Sequence, residues 1–255
     1  MSGFKVVIPA RYASSRLPGK PLADIGGRPM IWHSWQRGIE AAGHAADVFV
    51  ATDDARIFDA ASAFGATAVM TAPTHENGTE RLAEVVQLQG WAPDTIVVNV
   101  QGDEPLLPPE LVQQVAADLH QQPAADIATL GHEIRDPAAL TNANIVKIIR
   151  DKMGFAQYFS RACVPHDRDG AGAEDSLKRY PYLRHIGLYA YRASTLAALT
   201  RLEPAPAEKL EALEQLRALW HGMRIYVGLA AKAPPHGVDT EADLDLVRAI
   251  IDGTG

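Results

Sequence analysis

Cysteine, net positive charge and long apolar runs are all scarce in this 255-residue sequence. The single cysteine, Cys163, has no internal disulfide partner, and there is no second cysteine with which to build a multi-cysteine zinc set. A secreted disulfide framework and a zinc site are therefore set aside, and Cys163 reads as a small apolar filler in a reducing compartment. No segment approaches the roughly 18 uninterrupted apolar residues of a membrane-spanning helix. From Met1 through Lys5 the chain passes into a strand pattern rather than a signal peptide, so a cytoplasmic protein with no membrane partner is expected. The formal net charge of −7 opposes the extended basic surface that a nucleic-acid partner requires. Any phosphate site must be a local concentration of positive charge in an acidic protein.

What is present is enough apolar residue for a real core, 47% hydrophobic against 22% charged, ordered as short β-branched runs alternating with helical periodicities. That alternation predicts a mostly parallel, Rossmann-like α/β sheet with flanking helices. Strands are expected at Lys5 to Pro9, Asp47 to Thr52, Thr67 to Met70 and Thr95 to Val100. Helices begin at Pro29, near Asp54, at Thr79 and at Pro108–Pro109, several of them closed by glycine. The alternation then weakens. Strands near Asp126 to Leu130 and Asn144 to Arg150 lead to a polar stretch, Asp167 to Ser176, read as a flexible loop. His185 to Tyr191 and Arg224 to Leu229 resume strand character around one amphipathic helix from Glu208 to Trp220 carrying Leu210, Leu213, Leu216 and Leu219. Trp32, Trp35 and Trp220 fall on apolar stripes and are expected in the core, and Thr240 caps a closing helix. With no internal repeat or low-complexity tract, residues 1–255 read as one domain with an insertion at about 131–192.

In open α/β sheets ligands bind beyond the carboxyl ends of the strands. The loop after the first strand runs Ala10-Arg11-Tyr12-Ala13-Ser14-Ser15-Arg16-Leu17-Pro18-Gly19-Lys20. Arg11, Arg16 and Lys20, spaced by small and hydroxylated residues, can neutralise a polyphosphate while backbone N–H groups approach it. The loop is neither a Walker motif nor GxGxxG, so an ordinary ATPase and a dinucleotide oxidoreductase lose support. The buried strand ending Asn99-Val100-Gln101-Gly102-Asp103 delivers a carboxylate to the same rim. A carboxylate facing a polyphosphate needs a hard cation between them, which makes Asp103 a candidate magnesium ligand and calls for a second one. Asp239, in Gly237-Val238-Asp239-Thr240, is the candidate. Asp243 and Asp245 read as a solvated helix face.

The blocks PARYASSRLPGKPL, ATDD, GTERLAEV, VNVQGDEP, YFSRA, LRHIGLYAYR, LEQLRALW and GVDTEADL, spread from about Phe4 to Val247, resemble those of the 3-deoxy-manno-octulosonate (KDO) cytidylyltransferases. The resemblance implies a glycosyltransferase-A-like nucleotidyltransferase fold whose α+β insertion serves dimerisation and sugar binding, a homodimer, CTP and KDO as substrates and Mg2+ as cofactor. It places Arg11 and Lys20 on the CTP phosphates, Ala10, Ser14, Asn77 and Gly78 near the nucleotide, and Asp103 and Asp239 on the metal, with Lys20, Asp103 and Asp239 as the catalytic set. Arg81, Gln101, His185, Tyr189, Glu214 and Gln215 are implied as sugar-acid ligands. The chain departs from the family pattern at His75-Glu76-Asn77 and at Pro165-His166. Another acidic sugar, such as a sialic acid or an amino derivative of KDO, and a non-catalytic nucleotide or sugar sensor are the competing expectations.

Overall fold

The computed structural model describes residues 3–13, 17–232, 234–235 and 237–253. The first half alternates strand and helix: β1 (Lys5–Ala10), a small hairpin of β2 (Asp24–Ile25) and β3 (Arg28–Pro29), α1 (Met30–Ala42), β4 (Val48–Thr52), α2 (Ala55–Ala63), β5 (Thr67–Met70), α3 (Gly78–Gln89), β6 (Ile96–Asn99) and α4 (Pro109–Gln121). The second half adds β7 (Ile127–Glu133), α5 (Pro137–Thr141), β8 (Lys147–Arg150), β9 (Ala156–Ser160), α6 (Ala173–Arg179), β10 (Leu183–Arg192) and α7 (Ala193–Leu199). It closes with α8 (Pro206–Glu211), α9 (Gln215–Trp220), β11 (Ile225–Leu229) and α10 (Glu241–Ile251). No helix among the described residues is long and apolar enough to cross a membrane.

The main sheet runs β11-β7-β10-β6-β1-β4-β5. β1 pairs in parallel with both β4 and β6, β4 with β5, and β7 with β11, while β10 runs antiparallel to both of its neighbours on that path. The expected mostly parallel sheet with flanking helices is the one observed. Its strands are continuous apolar runs because both faces are covered, as parallel sheets require. Alternate residues serve opposite faces: Val6 and Ile8 pack with Trp35, Ile57 and Val112, while Val7 packs with Leu82, Val85 and Leu196. Helices α1, α2 and α4 therefore cover one face, and α3 and α7 the other. Between β7 and β10 come α5, the β8–β9 hairpin and α6, and the hairpin extends the sheet through β8, which pairs with the first residues of β10.

Local signals set the helix ends. Pro29 precedes α1, and Gly43 ends it at φ 84° with its N–H on the Ile39 carbonyl. Thr240 caps α10 in a box with Asp243, so Asp243 has a structural part beyond a solvated face.

Several expectations are corrected. The helix read from Glu208 to Trp220 is two, α8 and α9, broken where Ala212 adopts φ 50°. Leu213 and Leu216 stay in the core, whereas Leu210 is 88% and Trp220 65% exposed. The apolar spacing fits one continuous helix; contacts with β9 impose the break. The polar stretch read as a loop already contains the start of α6, whose Glu174 and Asp175 in the first turn and Lys178 and Arg179 in the last suit the helix dipole. Cys163 is exposed and fills no core.

Candidate active site

The strand order places the topological switch point between β1 and β6, whose chains leave on the same rim. Ala10, Arg11 and Lys20 follow β1; Gln101, Gly102 and Asp103 follow β6; Asn77 and Gly78 open α3; and Asp239 precedes α10. All nine line one cleft of about 440 Å3, within the range of small-molecule sites. Ser14 and Arg16 lie outside the described residues. Asn77 caps α3, its side-chain oxygen accepting the Glu80 N–H at 2.9 Å, so the positive end of that helix borders the cleft.

The loop after β1 is folded back on itself. The Gly19 N–H donates to the Tyr12 carbonyl at 3.0 Å, and Gly19 at φ 73° lies against the Tyr12 ring. Arg56 covers that ring at 3.3 Å from its centroid and is held by Asp54 at 2.6 Å. The fold-back presents Lys20, whose Nζ donates to Asp103 Oδ2 at 2.5 Å and to the Val238 carbonyl at 2.7 Å, and stands 3.5 Å from Asp239 Oδ1. Fully buried Val238 fixes the Asp239 segment by donating its N–H to the Asp103 carbonyl at 2.8 Å. Both carboxylates thus face one position, already held by a cation. Arg11 Nη2 donates to the His75 carbonyl at 2.5 Å.

Gly102 is what lets the β6 loop lie against β1. A Cβ there would stand 3.0 Å from the Pro9 carbonyl oxygen and 3.3 Å from Ile31. Gly102→Ala is expected to cost about 1–3 kcal/mol in unfolding free energy and to reduce turnover by displacing Asp103, measured by denaturant unfolding alongside rate.

A second cavity, about 140 Å3, shares Asn77, Gly78 and Gln101 with the cleft and continues it between α3, β10 and α9. Its wall includes Tyr189, Glu214 and Gln215, which the resemblance implied, together with Thr79, Asn99, Tyr191 and Arg217, which it did not. Three buried polar atoms there have no hydrogen-bond partner: Asn99 Oδ1, Tyr189 Oη and Gln215 Nε2. Unpaired buried polar groups cost free energy unless something binds them, so this wall is built for a polar ligand. Burial raises the Glu214 carboxyl pKa, against a lowering Thr79 hydrogen bond and the nearby Arg217.

Two implied sugar ligands do not line either cavity. His185 stands behind Tyr189, ring centroids 5.2 Å apart, with Nε2 3.1 Å from Thr129 Oγ1. Burial lowers its pKa to about 3. A neutral His185 costs nothing above its unfolded pKa near 6.5; below it the unfolded chain takes up a proton that the folded one refuses. Stability should fall by about 1.4 kcal/mol for each pH unit from about 6.5 towards 3. Unfolding at pH 7.5 and 5.5 should show a smaller loss in His185→Gln; equal losses would remove His185 as the cause.

Arg81 is fully buried on the inner face of α3. It pairs with Asp53 at 3.2 Å and donates to Thr71 Oγ1, while its Nε has no partner. Burial lowers its pKa against the pull of Asp53. The sequence singled out ATDD but not this pairing. Asn99 was legible as the end of a strand at the switch point; Tyr191 shares the strand face of Tyr189, on which it stacks at 5.8 Å.

Among the described residues no three His, Cys, Asp or Glu side chains are grouped so as to hold a metal by themselves. The Asp103 and Asp239 pair suits a hard cation that takes one or two carboxylates and completes its shell with water and phosphate oxygen.

A switch-point cleft with a basic fold-back, paired carboxylates and an adjoining polar cavity is the layout of a nucleotidyltransferase. A family model for cytidylyltransferases matches residues 5–225, and the chain belongs to that family. Within it the chain falls among the 3-deoxy-manno-octulosonate cytidylyltransferases: those of Vibrio vulnificus (strain YJ016) and Vibrio cholerae serotype O1 (strain M66-2) are each 54% identical over 97% of this chain, covering 98% and 97% of their own lengths. A structure of CMP:2-keto-3-deoxy-manno-octonic acid synthetase complexed with CTP superposes with a TM-score of 0.89 at 42% identity, covering 99% of both chains.

Proposed function

We propose that this protein transfers CMP from CTP to the anomeric hydroxyl of KDO, releasing pyrophosphate and giving CMP-KDO for lipopolysaccharide assembly. The observation that carries the reading is the Lys20 ammonium between Asp103 and Asp239 at 2.5 and 3.5 Å, at the mouth of a cleft continuous with a polar cavity. Triphosphate lies in the cleft, against Arg11, Lys20, the Ala10 backbone and the start of α3; Ser14 and Arg16 belong to the same loop. The sugar acid occupies the second cavity, where Gln101, Tyr189, Gln215 and Glu214 meet its hydroxyls. Arg81 and His185 act from beneath the site, Arg81 by holding Asp53 and His185 by backing Tyr189.

The sugar oxygen forms a bond to the α-phosphorus as the bond from that phosphorus to the β-phosphate bridging oxygen breaks, and the hydroxyl proton passes to solvent. No covalent enzyme intermediate is needed. Asp103 and Asp239 would hold magnesium, which supplies charge neutralisation on phosphate oxygen and acidity at a coordinated hydroxyl. The protein's contribution is positioning two anions in line and offsetting their repulsion. The enzyme works in the cytoplasm as a homodimer, with the insertion at about 131–192 providing the subunit contact; light scattering showing only monomer would remove that part.

The test is pyrophosphate release from CTP and magnesium with KDO, N-acetylneuraminate, an amino-KDO analogue or no sugar. Release with KDO alone is expected. Release only with another sugar moves the specificity, and CTP binding with no release from any sugar overturns the catalytic reading.

A further inference from the structure

Glu214 and Gln215 reach the second cavity from an awkward piece of backbone. The turn between α8 and α9 passes through Ala212, the one non-glycine residue with positive φ among those described, at 50°. Residues with a Cβ seldom adopt that conformation, and they hold it where the surroundings impose it.

Here the surroundings are the end of β9. Arg161 Nε donates to the Glu211 carbonyl at 2.6 Å, Nη2 to the Ala212 carbonyl at 3.4 Å, and Nη1 to the Ala143 carbonyl at 3.2 Å. The Glu211 carboxylate reciprocates, accepting the Arg161 N–H at 2.9 Å and the Ser160 hydroxyl at 2.7 Å. The strand end is itself anchored, because the fully buried Lys147 ammonium donates to the Arg161 carbonyl at 2.6 Å as well as to Asn142 and Ile145. On the other side of the turn, Arg217 and Glu208 clamp α9 to α8 at 2.7 and 3.0 Å. The turn is thus fixed between two arginines. One of them, Arg161, belongs to the YFSRA block and touches neither the cleft nor the cavity.

We infer that Arg161 is a positioning residue for the acceptor sugar: through the Glu211–Ala212 turn it sets where Glu214 and Gln215 stand in the second cavity. The inference rests on that cavity being the acceptor site. Its fork suits the task because a planar guanidinium can hold carbonyls of two segments at once, which a lysine ammonium on a flexible stem does less well. The phosphate cleft is built from β1, β6, α3 and the Val238 segment, and none of these bonds to Arg161. Losing the fork should therefore weaken sugar binding and spare CTP.

The experiment is steady-state kinetics of Arg161→Ala, Arg161→Lys, Gln215→Ala and the Arg161→Ala/Gln215→Ala double variant, with CTP and KDO varied separately. Arg161→Ala should raise the KM for KDO roughly tenfold or more, the size of effect a small misplacement of binding groups produces, with the KM for CTP within about twofold. Arg161→Lys should fall between it and the unmodified protein. The double variant should show less than the product of the single effects, because both act through one group. If Arg161→Ala only lowers thermal stability and active fraction, or raises both KM values alike, the positioning role is wrong. If Arg161→Ala does not fold, Arg161→Lys carries the same comparison. An unchanged KDO KM in Gln215→Ala overturns the acceptor-site reading itself, separately from the brace.

Discussion

Asp103→Asn should slow pyrophosphate release by on the order of 10²–10³-fold, about 3–4 kcal/mol of transition-state stabilisation, while leaving the thermal midpoint nearly unchanged. The fold should survive because Asn is nearly the same shape and its carbonyl oxygen can still accept from Lys20, which now donates to Asp103 Oδ2 at 2.5 Å. The two backbone bonds that fix the loop, Ser34 Oγ to the Gly102 carbonyl at 3.0 Å and Val238 N–H to the Asp103 carbonyl at 2.8 Å, do not involve the side chain. What the variant lacks is one full negative charge at a point where a cation must sit between protein and triphosphate. The loss should appear in kcat more than in the KM for either substrate, because Arg11, Lys20 and the start of α3 still bind phosphate. Near-normal turnover in a folded Asp103→Asn protein would remove Asp103 from the metal site.

The loops carrying this chemistry were legible because each is a local block at the end of a strand. Lys20, Gln101, Gly102 and Asp103 could be placed on one rim from the strand pattern and the switch-point rule alone. Asp239 came within reach because a capped helix begins directly after it. Arg81 shows where local reading fails. A bidentate cation at the start of a helix looks like a carboxylate ligand, yet Arg81 stands four residues before Val85 and one before Leu82, on the stripe that α3 turns inward. The periodicity contained that answer; the chemistry of arginine pointed elsewhere. The break at Ala212 was not legible at all, because Leu210, Leu213 and Leu216 satisfy one helix and the bonds that interrupt it come from Ser160 and Arg161, some fifty residues earlier. Trp220 follows from the same break.

Lys20→Met should lower kcat/KM for CTP by on the order of 10²–10³-fold, and it carries a second consequence that activity alone would not reveal. The Lys20 ammonium stands at the position both carboxylates face, 2.5 Å from Asp103 and 3.5 Å from Asp239. A divalent cation binding there must compete with a charge that the fold-back at Gly19 already holds in place. Magnesium alone should therefore stabilise the unmodified protein little, since a ligand raises stability only as far as it binds the folded state at the concentration used. In Lys20→Met the stem and its packing remain while the competing charge is gone. A magnesium titration followed by thermal unfolding, without CTP, should then shift the variant's midpoint more than that of the unmodified protein. Equal shifts would mean that Lys20 and the metal do not share a seat, and that the lysine meets the phosphates from where it now stands. A larger shift in the variant would mean that the arriving triphosphate draws Lys20 off the carboxylates, so that nucleotide and metal enter together.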